Sequence, residues 1–149
     1  MAQYVATFDP LDVAIVFGGH TLDGYGEGTF VDISRESDLT NDVVGADGTV
    51  SRAKINDKRG NVKVTLLASS SSNKVLTQMF LNHEAKKGEG SGAVALSVKN
   101  GVGKDLYTAS ESWILKPAAA VFSNKVEMRE WTIRCADLKP ENIGEQPTA

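Results

Sequence analysis

The sequence is poor in the residues that carry chemistry on their own. One cysteine among 149 residues rules out an intrachain disulfide. The only histidines, His20 and His83, stand in no zinc-ligand pattern, which favours structural roles for both. Neither charge sign is gathered into a block: 16 basic against 19 acidic residues leave a net charge of −3, unlike chains that grip nucleic acid with a basic tail. No uncharged apolar run approaches the roughly 20 residues of a membrane helix. The start, Met1-Ala2-Gln3-Tyr4, has no basic segment followed by an apolar one, so the expectation is a soluble product without export signal or membrane binding.

Catalytic and ligand patterns are equally scarce. Gly24-Tyr25-Gly26-Glu27-Gly28 has neither the GxGxxG spacing nor the lysine of a phosphate loop, and a strand is expected after it rather than a helix. Asp38, Asp42 and Asp47 do not match a calcium-loop pattern and read as solvated carboxylates. No catalytic, cofactor-binding or metal residue is assigned, no cofactor is expected, and the chain reads as a non-enzyme.

What is present is the material of one domain spanning 1–149. A chain this long buries roughly two thirds of its unfolded surface. Its 23% charged and 41% apolar residues are near the globular average, so it should fold. Short alternating segments bounded by glycine and asparagine predict a mainly β, antiparallel fold. Expected strands are 12–17 paired with 28–34, then 49–56 paired with 61–67 across a turn at Asp57-Lys58-Arg59-Gly60, then 93–98, 104–115 and 125–136. Val62, Val64 and Leu66 should share a buried face and Lys63 and Thr65 a wet one.

One helix is predicted over 73–87. It is capped by the serine run 69–72, carries an apolar stripe of Val75, Leu76, Met79, Phe80 and His83, and ends at Lys86-Lys87-Gly88. Trp113 and Trp131 are expected in the core, as is Cys135, which alternates with Trp131 and Ile133 and reads as a small hydrophobe. Residues 35–48 read as a long loop with Leu39, Asp42, Val43 and Val44, whose apolar members have little reason to face water. Residues 140–149 read as a loosely held tail.

The order of these segments resembles the bacteriophage tail tube family in its short, single-domain form. The resemblance runs through Phe8-Asp9-Pro10-Leu11-Asp12-Val13, Gly24-Tyr25-Gly26-Glu27-Gly28-Thr29-Phe30-Val31 and Asp47-Gly48-Thr49-Val50-Ser51-Arg52. It continues through Val64-Thr65-Leu66-Leu67, Ser71-Ser72-Asn73-Lys74-Val75-Leu76 and Arg129-Glu130-Trp131-Thr132-Ile133-Arg134-Cys135-Ala136, and so covers almost the whole chain.

The resemblance implies an antiparallel β-sandwich or barrel with one flanking helix, similar to the Hcp protein of type VI secretion and to R-type pyocin tubes. It implies hexameric rings stacked as a conduit for DNA in a contractile tail. The partners would be further copies of the chain, a sheath outside, a tape measure protein and DNA inside, and baseplate and terminator proteins at the ends. The product would be a virion component made in the host cytoplasm. On this reading the 35–48 loop reaches a neighbouring subunit. The channel-lining polar residues come from Asp32 and Ser34, from Arg52, Lys54 and Asn56, or from Lys63 and Thr65. The alternatives are a connector or decoration protein of a virion, a secretion-system tube subunit, or a small-ligand-binding β-barrel.

Overall fold

The computed structural model describes residues 9–85, 93–100 and 105–142. A short 3-10 turn at Pro10–Asp12 leads into strand β1 (Val13–Phe17), followed by β2 (His20–Thr21), β3 (Val31–Arg35), β4 (Thr40–Val44), β5 (Val50–Lys54) and β6 (Gly60–Leu67). Helix α1 (Ser72–Ala85) comes next, then β7 (Val94–Asn100), β8 (Asp105–Lys116), β9 (Met128–Cys135) and β10 (Lys139–Asn142). Eight strands form one antiparallel sheet in the order β2-β1-β7-β8-β9-β6-β3, with β10 beside β8, while β4 and β5 pair only with each other.

The sheet turns over on itself along β8. Residues 105–112 of this strand pair with β7 and residues 112–116 with β9. Tyr107 and Ala109 face the core in the first half, Ser112 and Ile114 in the second, so the inward parity switches from odd to even. The register against β7 slips between Val94 and Leu96, which supplies the extra residue that this switch requires. β1 and β6 are not neighbours in the sheet, yet Val13, Ile15 and Phe17 share one buried cluster with Val62, Val64 and Leu66. The strands therefore enclose a filled sandwich core that also holds Trp131, Ile133 and Cys135. Each fully buried side chain of this kind contributes roughly 1.5–3 kcal/mol relative to exposure.

The start of α1 is fastened to the sheet by polar side chains. Ser70 Oγ accepts the Ser72 amide at 3.2 Å, the side-chain capping expected of the serine run. Buried Ser72 Oγ accepts the Asp23 amide and donates to the Asp23 carboxylate, each at 3.0 Å. Asn73 donates to the Leu67 carbonyl at 2.8 Å, and its Oδ1 accepts the indole N–H of Trp131 at 2.9 Å. Leu76 is fully buried below this anchor, and Val75, Met79, Phe80 and His83 are half-buried along the same stripe.

Several expectations change. β1 pairs with β2 and β7, not with the 28–34 strand, whose observed form β3 pairs with β6. The 49–56 strand does not pair with 61–67: β5 pairs with β4, and β6 lies between β3 and β9. Residues 35–48 are not one loop, since they contain the end of β3, all of β4 and most of the turn to β5. The expected tail begins instead as β10, added to β8. Local alternation finds strands but does not say which strands meet, because pairing is decided by the shared core. Trp113 is only half-buried, standing opposite Arg134 on the parity that points away from the core. Helix end 86–88 and residues 143–149 lie outside the described residues.

Two outcomes follow from the core. Trp131→Phe leaves Asn73 Oδ1 buried without its donor and should cost about 1–3 kcal/mol in a denaturant titration. Burial pushes the Cys135 thiol up from an ordinary 9.0 to about 11, with Arg134 opposing. The protonated thiol thus favours the fold, fully below about pH 9, and this contribution is lost as the pH rises toward 11. Stability of Cys135→Ala should therefore fall less steeply over that interval than that of the parent.

Candidate assembly surface

Two strand pairs that belong to separate sheets form one long ribbon. β3 pairs with β6 from Val31 and Val64 to Arg35 and Gly60, and the Glu36 amide donates to the Arg59 carbonyl at 3.0 Å. Beyond a short gap the Ile55 amide donates to the Leu39 carbonyl at 2.7 Å, and β4 pairs with β5 out to Val44 and Val50. The inner half of the ribbon lies in the sheet and the outer half leaves it.

Side chains hold the gap. The Asp57 carboxylate accepts Nε and Nη2 of Arg59 at 2.9 and 2.8 Å, the Arg59 amide at 3.1 Å and the Ser37 hydroxyl at 2.7 Å. The Arg59 side chain first, then the Ser37 hydroxyl, holds this carboxyl well below the usual carboxylate range. At the far end Gly48 adopts a φ of +87°, which favours glycine, and the Asp47 carboxylate accepts the Thr49 amide at 2.9 Å. The Thr49 contact lowers the Asp47 pKa.

The outer half buries almost nothing. Every residue of β5 is exposed, as is all of β4 except half-buried Thr40. Leu39, Val43, Val44 and Val50 are between 63% and 66% exposed, unusual for a cluster of large apolar side chains. The cross-strand partners Asn41 with Ala53 and Val43 with Ser51 share one face. The same alternation adds Leu39 and Ile55 to that face. Thr40 with Lys54, Asp42 with Arg52 and Val44 with Val50 share the other.

The assembly residues read from sequence are thus split. Leu39 and Val43 stand on the apolar face, whereas Asp42 and Val44 stand on the opposite one beside Arg52 and Lys54. Sequence reasoning missed Val50, Ala53 and Ile55, because it assigned 49–56 to a different hairpin. The signal was the alternation itself, read with the wrong partner.

The remaining polar candidates lie elsewhere. Asp32 and Lys63 are cross-strand partners, and Lys63 is in turn the partner of Thr132 on β9. Ser34, Asn61 and Arg134 form the next row. Asn61 donates to Glu36 at 2.7 Å and Arg134 approaches the same carboxylate at 3.8 Å, so this face mixes both signs. Asp32 and Lys63, read from sequence as alternatives, share one surface that excludes Arg52 and Lys54.

Residues 5–142 match the family described as bacteriophage PhiTE tail tube protein. A structural protein, ORF10 of Pseudomonas phage KPP10, is 30% identical over 153 residues, covering 98% of this chain and 87% of that protein. The fold is similar to the sheath/tube terminator of an extracellular contractile injection system in the extended state, with a TM-score of 0.62 and 10% identity over 93% of this chain and 99% of the other. It is also similar to a chain of the sheath-tube complex of such a system, with a TM-score of 0.58 and 11% identity over 92% of this chain and 93% of that one. These low identities concern the fold, whereas the family match spans nearly all of the sequence. The chain belongs to the bacteriophage PhiTE tail tube protein family and is a structural subunit of the phage virion, not an enzyme.

Proposed function

We propose that this tail subunit assembles as hexameric rings stacked into a hollow tube, inside a contractile sheath, through which DNA is ejected. The observation that carries the reading is the outer ribbon half, which exposes both faces and four large apolar residues in the isolated chain. A two-stranded hairpin of this kind is marginal in water and gains stability when a neighbour covers it. β3 is the last strand of its sheet, and ring closure would give its outer edge a partner in the adjacent subunit.

In this assembly the polar face carrying Asp32 and Lys63 lines the channel. Its mixed charge suits passage, since DNA phosphates held by a wall of lysine and arginine would not slide. Six copies multiply a subunit net charge of −3, which adds long-range repulsion of DNA. The sheath lies outside, the tape measure protein and then DNA inside, and baseplate and terminator proteins close the ends. The subunit is made in the host cytoplasm before entering the virion.

Negative-stain microscopy across a concentration series, beside a light-scattering mass, tests the reading. Rings or hollow tubes with sixfold end views are expected, and a strict monomer at every concentration refutes self-assembly. Val43→Asp with Val44→Asp should leave soluble monomers, because each carboxylate buried at a contact costs several kcal/mol unless it is paired; tubes of normal length from that variant would remove the hairpin from assembly. Assembled tubes should not retard duplex DNA at moderate salt, and strong retardation in a gel would count against the channel assignment.

A further inference from the structure

A second apolar surface lies on the end of β8 and its connection to β9. Leu115, Val121, Phe122 and Val126 are 46%, 56%, 84% and 61% exposed. The apex of this connection is pinned although nothing covers it. Ser123 Oγ donates to the Glu127 carboxylate at 2.6 Å and accepts the Lys125 amide at 3.1 Å, and the Ala68 amide donates to the Glu127 carbonyl at 2.8 Å. The Arg129 guanidinium lies 5.8 Å from the centroid of the Phe122 ring, a cation–π approach. A large ring held outward on a fixed turn is pre-organised for a contact rather than left over from the core.

The two apolar surfaces are matched in charge. Residues 36–55 carry Glu36, Asp38, Asp42 and Asp47 against Arg52 and Lys54, a net charge of −2, whereas residues 113–126 carry Lys116 and Lys125 with no acid and are followed by Glu127. We propose that the apolar face of the β4–β5 hairpin, with Leu39, Val43, Ala53 and Ile55, docks on residues 115–126 of a second copy of this chain. Leu39, Val43 and Ala53 on one surface and Val121, Phe122 and Val126 on the other are exposed in the same molecule, with Ile55 half-buried, so a single chain does not satisfy them internally. Two different, complementary patches on identical subunits make a heterologous contact, the kind that closes rings or propagates stacks. Asp42 stands on the face that turns away, so the net negative charge of the hairpin as a whole is what favours the lysine-bearing surface over a second hairpin. This pairing rests on the tube reading and names the surface that receives the hairpin.

Buried Cys135 leaves a quiet background for thiol chemistry. Subunits carrying Val43→Cys are mixed with subunits carrying Phe122→Cys, assembled, and oxidised. A disulfide dimer containing one of each, confined to the assembled fraction, is expected. Tubes that form without this dimer, and in which the Phe122→Cys thiol labels with maleimide as fast as in free subunits, overturn the proposal. Parent tubes provide a measurement without substitution: acetylation of Lys116 and Lys125 should be lost on assembly, and unchanged labelling overturns the docking even where the cysteine variants do not assemble. Protection of these lysines that appears only after another virion protein is added would assign the surface to that protein instead. Microscopy separates these results from failure of the tube reading, in which no rings or tubes form at all.

Discussion

A two-stranded ribbon has two faces and no interior, and much of this subunit's behaviour follows from letting one run past the edge of its sheet. Within the sheet, β3 and β6 satisfy the constraint: Val31, Ile33, Val62 and Val64 turn inward to the shared core while Asp32, Ser34, Asn61 and Lys63 turn outward. Past Glu36 and Arg59 the pairing resumes with no second layer beneath it. Leu39, Val43, Val44 and Val50 are then exposed by geometry rather than by composition. The sandwich supplies rigidity at one end of the ribbon, and the other end offers what the sandwich has no room to cover.

The rest of the fold positions that ribbon. β9 flanks β6 along its whole length, from Gly60 with Cys135 to Leu67 with Met128, so the ribbon's root is fixed by a strand that buries Trp131, Ile133 and Cys135 in the core. Trp131 on that strand is tied through Asn73 to the first turn of α1, which couples helix and ribbon root through one buried hydrogen bond. Gly60 contributes by having no side chain: a Cβ there would overlap Leu138, whose amide donates to the Lys58 carbonyl at 3.0 Å and whose carbonyl accepts Arg35 at 2.8 Å. β10 is thereby led off from beside the ribbon's base toward β8.

Much of this was legible in the sequence where the information is local. The period-two pattern of Val62, Val64 and Leu66, the burial of Trp131, Ile133 and Cys135, and the stripe of α1 were each fixed by neighbours a few residues away. Pairing was not, because β1 with β7 and β6 with β9 are contacts across most of the chain that no short window records. The β4 arm of the ribbon's outer half reads as a loop because Asp38, Asn41, Asp42, Gly45 and Gly48 carry turn and solvent signals, and because alternation alone gives its partner, the 49–56 strand, to β6. Apolar residues in a polar stretch still marked Leu39, Val43 and Val44 as an anomaly, correctly, although alternation sends Val44 to the other face. Phe122 escapes a reading of the sequence, since one aromatic after three alanines and a valine has no periodicity to reveal its exposure.

The Ser37, Asp57 and Arg59 cluster makes the boundary between the two ribbon halves an elbow. Its angle is set by side chains around one carboxylate, while the backbone ladders on either side remain separate. Of the four contacts on the Asp57 carboxylate, three come from Arg59 on the same arm and only the Ser37 hydroxyl reaches across, so one side-chain contact ties the two arms together at the joint.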